Sequence, residues 1–222
     1  ELSLALRYWT SRGWAVADVD YRGSTGYGRS YMNALDGQWG LIDVADCVAA
    51  ARFLVAAGRA DANRIAIKGG SAGGLTVLAA LSGYDDFSAG SCRYGVADLE
   101  ILANDTHKFE SRYLDRLIGP YPKEREVYVA RSPIHQTENF QNPMIILQGS
   151  DDAVVPPNQS ELIVEALKAK GIRHSYLLFE GEGHGFRKSE NIVKALESEY
   201  SFFSQIFGFE PFDDIELTPI VQ

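Results

Sequence analysis

Cysteine is nearly absent: two residues in 222, Cys47 and Cys92. Two cysteines are too few to staple a fold. Each has small or apolar neighbours and reads as a buried thiol of a reducing, cytoplasmic compartment, with a disulfide as the alternative. No run approaches the roughly 20 apolar residues of a membrane span, and no secretory leader pattern is visible. Positive charge is scarce too. A net charge of −9 argues against nucleic acid and anionic membrane as partners. Internal repeats and low-complexity linkers are missing, so residues 1–222 read as one globular domain with 208–222 as a C-terminal tail. The chain opens on Glu1 rather than Met, which suggests a piece of something longer.

What is present is an alternation of short apolar strands and amphipathic helices. Leu2–Trp9 has helical character and stops at Gly13. Trp14–Asp20 reads as a mostly buried strand, followed by the glycine-punctuated loop Tyr21–Gly28. That loop lacks both the Gly-Lys-Ser/Thr ending of a phosphate cradle and the Gly-x-Gly-x-x-Gly dinucleotide pattern, so it reads as a structural turn, and no cofactor is implied. Ile42–Ala57 is a long amphipathic helix closed by Gly58. Ala89–Val96 offers a strand and Phe109–Leu117 a helix. Pro143–Gln148 is a buried strand started by Pro and ended by Gly149. Ser160–Lys170 is helical, Ser175–Phe179 is the next strand, and Ile192–Phe207 the last helix. Strands this apolar have no wet face. The pattern predicts an α/β fold, a mostly parallel sheet with helices on both sides.

In such sheets functional residues collect in loops just past the strand C-termini. Three loops qualify. The first, Gly69-Gly70-Ser71-Ala72-Gly73, joins a strand to the helical run Leu75–Leu81 and fits the Gly-x-Ser-x-Gly nucleophile elbow. A serine on so sharp a turn needs small residues two places either side, here Gly69 and Gly73. The turn also aims the Ala72 N–H at the point where an oxyanion would develop. The second loop, Gln148–Pro156, carries Asp151 and Asp152. The third, Glu180–Phe186, carries His184 between glycines. Ser, Asp, His is the chain order of the α/β-hydrolase triad. The histidine would take the serine proton, and the carboxylate would fix its tautomer. His107, His135 and His174 lie off strand ends and read as surface or locally hydrogen-bonded residues. Residue chemistry alone leaves Asp151 and Asp152 as competing acids. Glu180, Glu182 and His184 lack metal-ligand spacing, so no metal is expected and the two glutamates read as solvated loop charges.

Tyr21–Gly28, Gly69–Gly74, Asp152–Pro157 and Glu182–Phe186 together resemble the C-terminal catalytic domain of the prolyl oligopeptidase family, closest to its acylaminoacyl-peptidase and dipeptidyl-peptidase-like branch. The likeness runs to about Phe209. It implies an α/β-hydrolase fold, and it points to Asp152 as the acid, with Val155 and Pro156 following. It further implies an S1 pocket lined by Phe109, Tyr113 and Val155; the first two share a helix face at i, i+4, a spacing that core aromatics show equally. Val154 stands where relatives often place a polar ligand for the substrate backbone. By the same resemblance a His-Gly-Gly segment with the second oxyanion donor, the first strands of the sheet and a substrate-filtering β-propeller would lie upstream of Glu1.

The resemblance implies a serine peptidase acting on short peptides or blocked N-termini through an acyl-enzyme. A carboxylesterase of the same fold and a catalytically weak domain used for assembly are the alternatives, and a homo-oligomer is compatible with any of the three.

Overall fold

Met144–Gly149 is buried at every position, a pattern that only a central strand covered on both faces can satisfy. The computed structural model describes residues 3–105 and 112–222. In chain order its elements are α1 (Leu4–Thr10), α2 (Arg29–Asn33), α3 (Ile42–Ala56), β1 (Ala66–Gly70), α4 (Ala72–Gly83), β2 (Ala89–Arg93), α5 (Leu99–Asp105), α6 (Tyr113–Leu117), α7 (Arg125–Arg131), a 3₁₀ helix (Pro133–Asn139), β3 (Met144–Gly149), α8 (Pro157–Ala169), β4 (His174–Phe179) and α9 (Ser189–Phe207). The strands form one sheet in the order β1-β2-β3-β4, every neighbouring pair parallel. This is the α/β-hydrolase arrangement expected from the sequence.

The period of two along β3 sorts the core into layers. Met144 and Ile146 join Ile67 and Cys92 on one face, against Val48 of α3, Leu81 of α4 and Leu167 of α8. Ile145 and Leu147 face the other way, against Trp9 of α1 and Phe202 and Phe203 of α9. Each fully buried aliphatic side chain contributes roughly 1.5–3 kcal/mol, so β3 anchors both layers. The tail is tied down as well. The Thr218 N–H donates to Ser201 Oγ (2.8 Å), and Val221 exchanges two 2.8 Å backbone hydrogen bonds with His174 at the start of β4.

Two expectations fail. Residues 14–20 form no strand: no strand among the described residues pairs with them, and Ala15 to Asp18 are exposed. A run of apolar residues becomes a strand only where a neighbouring backbone takes its hydrogen bonds. Trp14 and Val19 are half-buried, Trp14 against Trp9, Phe203, Phe207 and Phe209. The helix expected over Phe109–Leu117 starts at Tyr113, because Arg112 (φ −117°, ψ 1°) caps it rather than continuing it. Phe109 and His107 lie outside the described residues.

The loop Tyr21–Gly28 is anchored by side-chain contacts. The Arg22 guanidinium grips the Asp46 carboxylate of α3 (2.7–3.1 Å), and Tyr31 Oη donates to the Asp20 carbonyl (2.7 Å). Both cysteines are free. Burial pushes the Cys47 thiol up to about 11 and the Cys92 thiol up to about 12, so neither offers a thiolate at neutral pH.

Candidate active site

The β1–α4 turn is built on close approach. A Cβ on Gly69 would stand 2.3 Å from the Gly73 carbonyl oxygen, so a side chain there would push strand and helix apart. Between them Ser71 takes φ 57°, ψ −120° as the cap of α4, a left-handed conformation rare for a residue with a side chain. Its N–H donates to the Arg93 carbonyl (3.0 Å), which fixes the elbow to the end of β2. Ala72 is the first residue of α4, so its N–H has no acceptor within the helix and the positive end of the helix dipole lies beside Ser71.

The loops after β3 and β4 are laced to each other. The Asp151 N–H donates to the Glu182 carbonyl (2.9 Å) and the Gly181 N–H to Ser150 Oγ (2.8 Å). The consequence is a chain of three side chains. His184 Nε2 lies 2.8 Å from Ser71 Oγ, and His184 Nδ1 lies 2.8 Å from Asp152 Oδ2. The Asp152 side chain is fully buried while that of His184 is 23% exposed, so the imidazole reaches solvent and the carboxylate does not. Asp152 Oδ1 accepts the Val154 and Val155 N–H groups (2.9 Å each). Gln148 Nε2 donates to the Val155 carbonyl (3.1 Å) and approaches Asp152 Oδ2 at 3.4 Å. Hydrogen bonds on both oxygens fix the direction in which the carboxylate points. Asp151 is exposed, and among the described residues its carboxylate accepts from its neighbour Ser150 (2.8 Å).

The remaining candidates separate. Val155 is buried with Leu75, Val96, Leu99 and Leu114. Tyr113 is 59% exposed and is not part of that cluster. His135 lies in the 3₁₀ helix, away from strand ends. His174 is buried and is locally hydrogen-bonded, one of the two roles expected for it, with Nδ1 2.8 Å from the Ile172 carbonyl. A groove of about 480 Å³ lies elsewhere, between β4 and the start of α9, and none of Ser71, Asp152 or His184 lines it.

Glu182 corrects a further expectation. It is not a solvated charge but 2% exposed. Its carboxylate takes Asn191 Nδ2 (2.8 Å) and the Arg187 and Lys188 N–H groups (2.9 and 3.0 Å), and those hydrogen bonds hold its pKa below the ordinary carboxylate value. It therefore ties the His184 loop to the start of α9. Alternation in Glu-Gly-Glu-Gly-His gave no means of telling Glu182 from Glu180.

Glu199 was missed altogether. It sits in the middle of α9 at 0% exposure and accepts from Lys68 of β1 (2.8 Å), Ser91 of β2 (2.6 Å) and the Arg93 guanidinium (2.6 and 2.7 Å). Burial alone would raise its pKa; the two cations bring it down to about 2. The available signal was an acid three and four places before Phe202 and Phe203, on the same apolar face of the helix.

Comparison with known proteins identifies the family. The model of the prolyl oligopeptidase family matches residues 1–210. Dipeptidyl aminopeptidase BIII of Pseudoxanthomonas mexicana is 32% identical over 204 residues, 89% of this chain and 30% of that protein. The acylamino-acid-releasing enzyme of Arabidopsis thaliana is 30% identical, over 82% of this chain and 25% of that protein. Among solved structures, a puromycin hydrolase superposes with TM-score 0.95 at 46% identity, covering all of this chain and 33% of the other. A puromycin-hydrolyzing peptidase of Mycobacterium tuberculosis gives 0.89 at 48% identity, covering 92% and 31%. The chain thus spans about a third or less of the length of these relatives. Family model, fold and relatives agree: the chain belongs to the prolyl oligopeptidase family.

Proposed function

We propose that the chain is the catalytic domain of a serine peptidase that cleaves short peptides through an acyl-enzyme. The observation that carries this reading is the relay from Ser71 Oγ to His184 Nε2 and from His184 Nδ1 to Asp152 Oδ2, 2.8 Å at each step. Ser71 Oγ attacks the scissile carbonyl as His184 accepts its proton. The imidazolium, stabilised by Asp152, returns that proton to the leaving amine. The Ala72 N–H supplies one donor to the oxyanion. Water then repeats the sequence on the acyl-serine. Val155 would form an apolar part of the wall that receives the substrate side chain, with Tyr113 and Phe109 as further candidates. Burying a charged side chain against such a wall is unfavourable by several kcal/mol, which favours uncharged residues at that position. The solved relatives at 46 and 48% identity are named for puromycin hydrolysis, so puromycin belongs beside short peptide amides in any substrate panel.

The test is a fluorophosphonate applied to the full-length protein, with the labelled peptide identified by mass spectrometry. Ser71 is expected to be the residue modified. Ser71→Ala should lose both labelling and turnover of peptide amides, with kcat down on the order of 10⁶. Near-normal turnover in Ser71→Ala would remove the serine-hydrolase reading.

A further inference from the structure

Among the described residues, two that are not glycine have positive φ: Ser71 at 57° and Tyr94 at 36°. The elbow accounts for the first. Tyr94 follows β2 directly, and an aromatic residue seldom adopts this conformation.

The chain on both sides of Tyr94 is fixed. The Arg93 carbonyl accepts the Ser71 N–H (3.0 Å), and the Arg93 guanidinium is clamped by buried Glu199. The Tyr94 N–H donates to the Leu147 carbonyl (2.7 Å). Gly95 is pressed into α4: a Cβ there would lie 2.3 Å from Cys92 Sγ and 3.0 Å from Gly74 Cα. With its neighbours pinned, residue 94 takes up the whole change of direction.

That turn lays the Tyr94 ring over Gly70 and sets it edge-to-face against His184, ring centroids 4.9 Å apart at 61°. Phe186 stands perpendicular to Tyr94 at 5.4 Å and packs on Phe179 at 4.4 Å, which backs the ring from β4. The two hydrogen bonds of His184 fix its nitrogens but leave the imidazole free to rock about the line joining them. A packed ring on its flank removes that freedom.

We propose that Tyr94 is a positioning residue for His184, held in a left-handed backbone by the Arg93–Glu199 clamp so that its ring keeps the imidazole aligned with Ser71. This rests on His184 being the base. The aromatic ring, not the hydroxyl, carries the role: the ring is what touches the imidazole.

The experiment is steady-state kinetics on a peptide amide with the full-length protein, each rate divided by the Ser71 sites titrated with fluorophosphonate, so that unfolded molecules do not count. Tyr94→Asn keeps a residue tolerant of positive φ and removes the ring. It should lower kcat per titrated site roughly 10- to 100-fold, as a slightly misplaced base does, while KM changes less than about 3-fold and Tm does not fall. Tyr94→Phe should restore kcat to within about 3-fold of wild type. If Tyr94→Asn does not fold, Tyr94→Gly carries the same expectation. Full kcat in the ringless variant, or an equal loss in Tyr94→Phe, overturns the role of Tyr94 and leaves the triad standing. Wild-type protein whose Ser71 does not react at all overturns the triad and this inference with it.

Discussion

Two stretches of this chain look alike as sequence and differ as structure. Trp14–Gly28 and Met144–Pro156 each run from an apolar segment into a loop rich in turn-forming residues. The second is buried along its whole strand, and its loop is gripped by Gln148 and by the loop after β4. The first is exposed from Ala15 to Asp18 and is held by Trp14 at one end and by the Arg22–Asp46 pair at the other. The difference lies in who receives the backbone hydrogen bonds. β3 has a parallel strand on each side, while residues 14–20 have none among the described residues. Apolar pattern is necessary for a strand; partners make it one. A side chain can be placed to a fraction of an ångström only from the second kind of support, and Asp152 hangs from that kind.

The sharpest way to break this contrast is to compare two adjacent acids in the well-held loop. Asp152→Asn keeps the shape of the side chain but presents an amide to His184 Nδ1. It should cut kcat by roughly 10⁴, measured on a peptide amide against titrated Ser71. Asp151→Asn, at an exposed carboxylate that accepts from Ser150, should stay within about 3-fold of wild type. The reverse ranking would show that loop support does not determine which acid acts.

Glu199 provides the next largest effect, on stability rather than rate. Its carboxylate joins β1, β2 and α9 through Lys68, Ser91 and Arg93. Removing one member of a buried ion cluster typically costs about 3–5 kcal/mol, so Glu199→Gln should lose about that at pH 7 in urea melts. Its folded pKa of about 2 lies below the ordinary 4.5. The carboxylate therefore stabilises the fold fully above about pH 5, and the contribution, roughly 3 kcal/mol, is lost as pH falls through 4.5 toward 2. Wild type and Glu199→Gln should differ less at pH 3 than at pH 7. A gap that stays constant with pH would mean that the charge contributes nothing and only shape matters.

These residues also mark what the sequence could and could not reveal. β1 to β4, and α3, α4, α8 and α9, were legible within a few residues because each is an apolar run or stripe with a glycine at its C-terminal end or within two residues after it. The elbow and the loops after β3 and β4 were legible because turn chemistry is local: Gly69, Gly149 and Gly183 announce themselves. Glu182 and Glu199 were not legible, because a buried carboxylate is defined by donors far along the chain, and Arg93 is 106 positions from Glu199. Tyr94 was read as part of a strand, since nothing in Arg93-Tyr94-Gly95 signals a left-handed turn. Its conformation is imposed by Ser71, Leu147 and Glu199 from outside. Residues 14–20 failed for the opposite reason: the local pattern was there, but no strand among the described residues pairs with it.

The smallest expected effect lies in that last segment. Val16 is 44% exposed and Ile146 1%, so truncating each to alanine compares the two kinds of support directly. Ile146→Ala empties a site between α3, α4 and α8 and should cost about 2–5 kcal/mol, the range for a buried aliphatic that leaves a cavity. Val16→Ala removes two methyl groups that already face water and should stay within about 0.5 kcal/mol of wild type in urea melts of this chain. Amide exchange should agree: residues 15–18 open without global unfolding, whereas Ile145–Leu147 exchange only when the whole domain unfolds. A Val16→Ala loss near that of Ile146→Ala, or protected amides at 15–18, would show that the segment is paired in solution and that the contrast between the two stretches does not hold.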